Sequence, residues 1–424
     1  MNYTNSLKAT ILLYNCLWKL IIPLLKFNKR LQDGFEQRTL KINDLPKSDV
    51  WIQAASAGEA YLALDIIKNF NPENSLKIYL TTNTKQGFEL INKGISAYKG
   101  SFSVKTGYFP FDAPSLMEIA VKTIKPKLMI LLETEIWPGL LYSLKKSGIK
   151  TVIINGRITE QSLKGYTGFS SLLKQLAPNK ILAISDGDKF KFEHIFGQGI
   201  GEVMSNIKFD RVGLNNSMDS DKNPLKNIIP DKADFIVLAS IRQEEELLVH
   251  NMILEISSKY KDLIIGLFPR HMERINQWES LLNKSQLKWT LRSKINSPTS
   301  NGTIILWDKF GELNAAYNYA TAAFVGGSLL PLGGQNFLEP LTCGITPVIG
   351  PFWENFAWIG REIIEKKLVL EAPTWSDAVE LIINNIKNIP QKELISKSAF
   401  EYLKEKQGGT LKAVSEIKKF LNKK

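Results

Sequence analysis

The sequence predicts an α/β protein of two doubly wound, Rossmann-like domains behind an apolar N-terminal helix. Three observations carry this. Residues 9–25 form an apolar run; after residue 50 short β-rich runs alternate with amphipathic stretches; and the alternation restarts after a polar stretch near 214–232 that two prolines break. Such alternation argues for parallel sheets covered by helices, and 424 residues exceed one ordinary domain.

The apolar run reads ATILLYNCLWKLIIPLL, interrupted by Asn15, Lys19 and Pro23. Lys8, Asn15, Lys19 and Lys26 fall on one narrow helical stripe. A spanning helix needs about 20 mostly apolar residues, so this one is marginal. The following LLKFNKR offers no small-residue cleavage site. Three readings stand: a helix lying in or partly inserted into the membrane surface, with Lys26, Lys29 and Arg30 near lipid phosphates; a single-pass anchor; or a helix packed on the protein's own core. The first is preferred.

In the first domain WIQAAS (51–56), KIYLTTN (77–83), KLMILLE (127–133), TVIIN (151–155) and KILAIS (180–185) read as buried strands, with helices over 59–69 and 114–124. In the second, FIVLAS (235–240), LIIGLFP (263–269), TIILWD (303–308), AAFVGGS (322–328) and TPVIGP (346–351) do the same. The expected division is an anchoring helix at 1–30, a first domain at 31–215, a linker at 216–232 and a second domain at 233–424, whose last helix can pack back on the first. Two such domains are expected to face each other across a cleft, with ligands beyond the carboxyl ends of the strands.

Composition narrows the function classes. With 44% hydrophobic and 23% charged residues the chain is not disordered. A net charge of +12 favours partners that carry phosphate: nucleic acid, nucleotides or an anionic bilayer. Cys16 and Cys343 lie far apart, and His194, His250 and His271 are the only histidines, which argues against a disulfide framework and a structural zinc site. No GxxxxGK[ST] loop occurs, and no GxGxxG follows the first strand of either domain, which argues against ATPases, kinases and dehydrogenases.

The residues that can do chemistry lie just after strands. In SAGEA, Glu59 opens a helix where it can act as a general base; the competing reading is a first-turn glutamate that complements the helix dipole. Glu133 and Glu135 close a very apolar strand, and in an extended chain they point to the same side. Buried like charges of this kind raise a pKa and mark sites, though either acid can also cap the next helix. Arg157, Lys164 and Lys208 can each take an anion. In the second domain Pro269 and Arg270 follow a strand, and Arg270 suits bidentate phosphate contacts. Gly311 and Glu312 open a helix in DKFGELNAAY. In FVGGSLLPLGGQNFLEPLTCG, Gly333 and Gly334 free backbone N–H groups for phosphate, with help from the dipole of the helix that follows. Asn336 can cap that helix, and Glu339 can accept ribose hydroxyls.

The ordered string ASAGE, TTNTKQG, YFPFDAP, LLETEIWPGLL, NGRITEQSLKGY, NIKFD, LFPRHMER, GELNAAY, FVGGSLLPLGGQNFLEPLTCG and IGPFWENF resembles the 3-deoxy-D-manno-octulosonic acid (Kdo) transferases from about residue 10 to the C-terminus. The resemblance implies a GT-B fold, with no cofactor and no metal. The reaction it implies is an inverting transfer of Kdo from CMP-Kdo to a lipid A precursor, lipid IVA, in lipopolysaccharide core synthesis. It implies an anchored protein on the cytoplasmic, anionic side of a bacterial inner membrane and no nucleic-acid partner. By position Glu59 becomes the proton acceptor, and Glu133 and Lys208 stabilise the transition state. CMP is expected at Pro269, Arg270, Phe310, Gly311, Glu312, Asn336, Phe337, Leu338 and Glu339. The sequence departs from the family pattern at Gln53 and Gln335, which replace histidines, and in ASIRQEEE (239–246), which loses a His and a Gly. The rival functions are a nucleotide-sugar epimerase of the same fold and a non-catalytic, membrane-bound nucleotide-binding module. The apolar N-terminus argues against the first and Glu59 against the second.

Overall fold

The computed structural model describes residues 3–42, 44–70, 76–96, 98, 102–212, 223–230, 233–388 and 391–422. The chain divides into two compact units, Met1–Arg211 with Lys406–Lys424, and Val212–Glu405.

The first unit holds strands β1 (Val50–Gln53), β2 (Lys77–Thr82), β3 (Ser103–Tyr108), β4 (Leu128–Leu132), β5 (Lys150–Gly156), β6 (Lys180–Ala183) and β7 (Gly201–Val203). They form one parallel sheet in the order β3-β2-β1-β4-β5-β6-β7. Both faces are covered, so the central strands are apolar throughout. Alternate residues serve opposite cores: Trp51, Met129, Leu131 and Ile153 on one face, and Ile52, Ile130, Leu132 and Ile154 on the other.

The N-terminal helix runs from Asn5 to Leu25, capped by the Thr4 side chain. Its inner stripe docks on the first unit. Leu7 and Ile11 are buried, Tyr14 donates to Asp112 Oδ2 at 3.0 Å, and Trp18 stacks on Phe111 at 5.7 Å. Asn15 accepts the Ser115 N–H at 3.0 Å, on the side of the helix where Lys19 and Lys26 line a cavity with Ser115. Leu12, Leu13, Leu17, Leu20, Ile21 and Leu24 remain exposed. By length and composition this helix is able to cross a membrane.

The second unit holds β8 (Phe235–Ile241), β9 (Ile264–Pro269), β10 (Trp289–Leu291), β11 (Ile304–Leu306), β12 (Ala322–Val325), β13 (Val348–Ile349) and β14 (Leu370–Glu371). These are parallel in the order β10-β11-β9-β8-β12-β13-β14.

Both expected boundary segments are packed elements. Of the linker expected at 216–232, residues 216–222 and 231–232 lie outside the described residues, and 223–230 are not a free tether. Leu225, Ile228 and Ile229 are buried in the core of the second unit with Phe235 and Trp307; apolar side chains among the polar residues draw the segment in. The second unit also ends before residue 424. The helix Gly409–Asn422 packs in the first unit, with Ala413, Val414 and Ile417 against Ile52 and Ile154. Asp210 of NIKFD accepts the Gly408 and Thr410 N–H groups at 2.7 and 2.6 Å, holding the start of that helix.

Candidate active site

In the first sheet β1 lies between β2 and β4. The chain leaves β1 toward one side and returns on the other, which opens a crevice at the strands' carboxyl ends. Glu59 sits there, in the first turn of the helix Ala57–Asn69, whose cap is Ser56. Its carboxylate accepts the Ala55 N–H at 2.7 Å and the Ser56 hydroxyl at 2.9 Å. The helix-start reading is therefore realised. The carboxyl is also buried, and burial, with the charges of Glu135 and Glu133, pushes its pKa up to about 8.

Glu133 is the first residue beyond β4 and takes φ +55°. A non-glycine residue in this region carries strain of about 1–3 kcal/mol and persists only where its surroundings hold it. They do: Glu133 pairs with Arg157 Nε and Lys208 Nζ, each at 2.8 Å. Thr134 Oγ1 donates to the Arg157 carbonyl. Asn155, at the end of β5 with φ +58°, accepts the Ile207 N–H at 2.9 Å, and Asn206 accepts that of Lys208 at 3.0 Å. The NGR and NIK motifs thus close on Glu133 from two elements.

The left-handed turn at Glu133 breaks the extended geometry on which the shared side of Glu133 and Glu135 was expected. Glu135 accepts from Trp137 Nε1 at 2.6 Å and Gln53 Nε2 at 3.4 Å. Burial pushes its pKa up to about 7, and Glu133 adds to the rise. Gln53, which departs from the family pattern, is thus bonded to the acid cluster. Lys164 is exposed on the helix Glu160–Thr167.

The sequence reading missed Asp112 of YFPFDAP. It is fully buried, accepts the Gly139 and Leu140 N–H groups at 2.9 and 2.7 Å, and ties the helix Pro138–Lys146 to Tyr14. Burial pushes its pKa up to about 7. An acid flanked by prolines in a loop gave no periodicity to find it by.

In the second unit the corresponding crevice opens where β8 lies between β9 and β12. Pro269 is buried and Arg270 exposed at the end of β9. Phe310 is 82% exposed, beside Gly311 at φ +83°. Glu312 opens the helix Leu313–Tyr319 as expected, but its carboxylate is taken by Arg292 at 2.8 and 3.1 Å and by Trp307 Nε1 at 3.0 Å. Asn336 donates to Glu339 at 2.8 Å and accepts the Leu338 N–H at 3.2 Å. Burial raises the Glu339 pKa, and Arg270 opposes the rise.

Two details differ from expectation. The helix after the glycine loop has only five residues, Leu338–Thr342, and Phe337 rather than Asn336 occupies its cap, so its dipole is small. Gly333 and Gly334, both at positive φ, are packed against Asn355 and Trp353, and a β-carbon at Gly333 would lie 2.3 Å from Asn355 Nδ2. Phe337 and Leu338 are buried, which leaves main chain as their means of contact.

The sequence reading also missed Glu245 in RQEEE. It is wholly buried and accepts the N–H groups of Arg242 and Gly327, with Ser328 and Leu329 also acting on it. Its carboxylate fills the nest formed by the start of the glycine loop. Its neighbour Glu246 is also buried, paired with Arg274, and the run of three acids gave no sign of which one reaches the glycine loop.

Two parallel seven-stranded doubly wound sheets, each with polar residues gathered at a switch point, define a GT-B-type fold. A glycosyltransferase from Rickettsia africae shares it with a TM-score of 0.57 at 12% identity, over 89% of this chain and 100% of that one. UDP-GlcNAc 2-epimerase from Neisseria meningitidis shares it with a TM-score of 0.51 at 14% identity, over 88% and 100%, so the fold alone does not choose between them. Sequence does. Residues 27–211 match the family model of the 3-deoxy-D-manno-octulosonic-acid transferases (kdotransferases). The 3-deoxy-D-manno-octulosonic acid transferase of Haemophilus influenzae is 29% identical over 385 residues, 89% of this chain and 88% of that protein. The bifunctional glycosyltransferase/methyltransferase of Fusobacterium nucleatum is 30% identical over 390 residues, 89% of this chain; the match spans only 59% of that longer relative. Residues 27–211 are thus a Kdo-transferase family domain, and Kdo-transferase homologues match most of the chain.

Proposed function

We propose that this protein transfers Kdo from CMP-Kdo to an acylated lipid A precursor, lipid IVA, with inversion and without a metal, at the cytoplasmic face of a bacterial inner membrane. The observation that carries the reading is the acid cluster at the β1–β4 crossing, where Glu59 is held at a pKa of about 8 within the Kdo-transferase family domain.

Inversion needs one base that takes the acceptor hydroxyl's proton as the oxygen attacks the anomeric carbon, opposite the leaving group. A carboxylate with a pKa near the working pH is suited to that proton. Lys208 and Arg157, fixed on Glu133 at 2.8 Å, supply positive charge at the same crossing, where developing negative charge is stabilised. CMP is already a good leaving group as a phosphate ester. In the second unit Arg270 suits its phosphate, exposed Phe310 offers a face to the base, and the Asn336–Glu339 pair suits its ribose hydroxyls. The exposed leucine face of the N-terminal helix supports a membrane surface, and Lys19, Lys26 and Lys41 around a neighbouring cavity of about 420 Å³ suit anionic headgroups.

The test is incubation of the purified protein with CMP-Kdo and lipid IVA, read by mass spectrometry. The expected result is a product heavier by one or more Kdo units, with CMP released. An unchanged acceptor without CMP release overturns the reading.

A further inference from the structure

A second cavity, of about 440 Å³, lies between the inner face of the N-terminal helix and the helices Glu160–Thr167 and Ser170–Leu173. It falls within the range of small-ligand sites, about 300–1,000 Å³. Ile11, Tyr14, Gly165, Tyr166, Phe169 and Leu172 are among its walls, which are almost wholly apolar. None of the groups in the acid cluster lines it.

Its position says what fills it. One wall is the helix Asn5–Leu25, whose opposite face exposes a row of leucines suited to hydrocarbon. The other wall is the chain that carries the acid cluster. Pro138, in the cavity wall, follows Glu135 by three residues, and the helix Glu160–Thr167 follows Arg157, the partner of Glu133. Tyr166 feels the charge of Glu135, so the far wall lies within electrostatic reach of the cluster. A dry, partly open cavity walled on one side by a helix with an exposed apolar face and on the other by residues that adjoin the acid cluster in sequence suits an amphiphile, with its tail in the cavity and its sugar toward the acids.

We propose that this cavity holds one acyl chain of the glycolipid acceptor and thereby positions the acceptor hydroxyl for Glu59. The inference rests on the acylated-acceptor reading above and adds the site for the chain.

Gly165 provides the test. A β-carbon there meets nothing within 4 Å, and leucine favours a helix more than glycine does, so Gly165→Leu fills the cavity and leaves the fold intact. The full chain in lipid nanodiscs is assayed with lipid IVA and with its fully deacylated, water-soluble counterpart. Displacing about two methylenes of the chain corresponds to a rise of roughly tenfold in KM for lipid IVA, with kcat/KM for the deacylated acceptor unchanged. An unchanged KM for lipid IVA overturns the proposal. So does an equal loss on both acceptors, which marks a resident membrane lipid or a distorted site. A second arm needs no turnover: a myristic acid bearing a diazirine is photolysed in the nanodisc and the labelled peptides are mapped. Labelling within residues 162–176 that Gly165→Leu abolishes supports the acyl site even if transfer itself fails. No labelling there in the unsubstituted protein overturns it.

Discussion

At the β1–β4 crossing of the first unit, Glu59 is buried among other carboxylates; at the β8–β12 crossing of the second, Glu245 is buried among backbone N–H groups. Burial raises both pKa values. What separates them is the partners. Around Glu245, Arg242, Gly327 and their neighbours donate hydrogen bonds to the charge, and the acid becomes a clamp for the glycine loop. Around Glu59 the next acids, Glu135 and Glu133, repel the charge, and the proton is held until about pH 8. A raised pKa is thus not itself a mark of catalysis: the same rise accompanies a clamp at Glu245 and a cluster of like charge at Glu59.

The comparison breaks first at Glu59→Gln. Loss of a general base is expected to lower the transfer rate by about 10²–10⁴, with CMP affinity, read by calorimetry, unchanged. A loss of CMP binding of the same size sinks the separation of roles. Glu245→Leu acts through folding: it leaves several buried N–H groups unpaired, at about 1–3 kcal/mol each, so urea unfolding is expected at clearly lower denaturant. Normal stability with lost transfer would move Glu245 to the catalytic side.

A smaller effect concerns stability and pH. The fold raises the Glu59 pKa from its ordinary 4.5 to about 8. The folded protein therefore keeps a proton that the unfolded chain releases, and stability falls as pH rises between these values, then levels. Glu59→Gln removes that penalty, worth about 1.4 kcal/mol per unit at most. The variant is expected to gain melting temperature over the unsubstituted protein as pH rises from 5 to 8, within this window. A gain that shrinks with pH contradicts the burial. The smallest effect is expected from Glu135→Gln. Removing one like charge lowers the Glu59 pKa by up to about one unit, seen as a shift of the pH–rate limb toward acid.

What could be read in advance follows from where each element sits. The ten strands predicted from apolar runs are the inner ones. The four that were not, β3, β7, β10 and β14, stand at the edges of their sheets. There the burial is partial, as in the alternating pattern of β3 and the half-exposed Trp289–Leu291, so no continuous apolar run exists to be read. The same logic divides the site. Glu59 and Glu133 lie at a helix start and a strand end, which offers them as candidates, while their roles and the choice of Lys208 come from the family resemblance. Asp112 and Glu245 act on N–H groups distant in sequence, at Gly139 and Gly327, and only tertiary structure brings those together. The strand-end turns at Glu133 and Asn155, both left-handed without glycine, were also invisible, because their strain is held by ion pairs and hydrogen bonds formed elsewhere.

The central claim is that Glu59 is the base and that its neighbours set its pKa. The direct measurement is the single-turnover rate of Kdo transfer against pH, with saturating CMP-Kdo and lipid IVA. Since the base must be ionised, the rate is expected to rise with pH through a midpoint near pH 8 and to level above it, and Glu59→Gln to erase the rise. A rate that is flat across this range, or a limb that survives the substitution, contradicts the assignment.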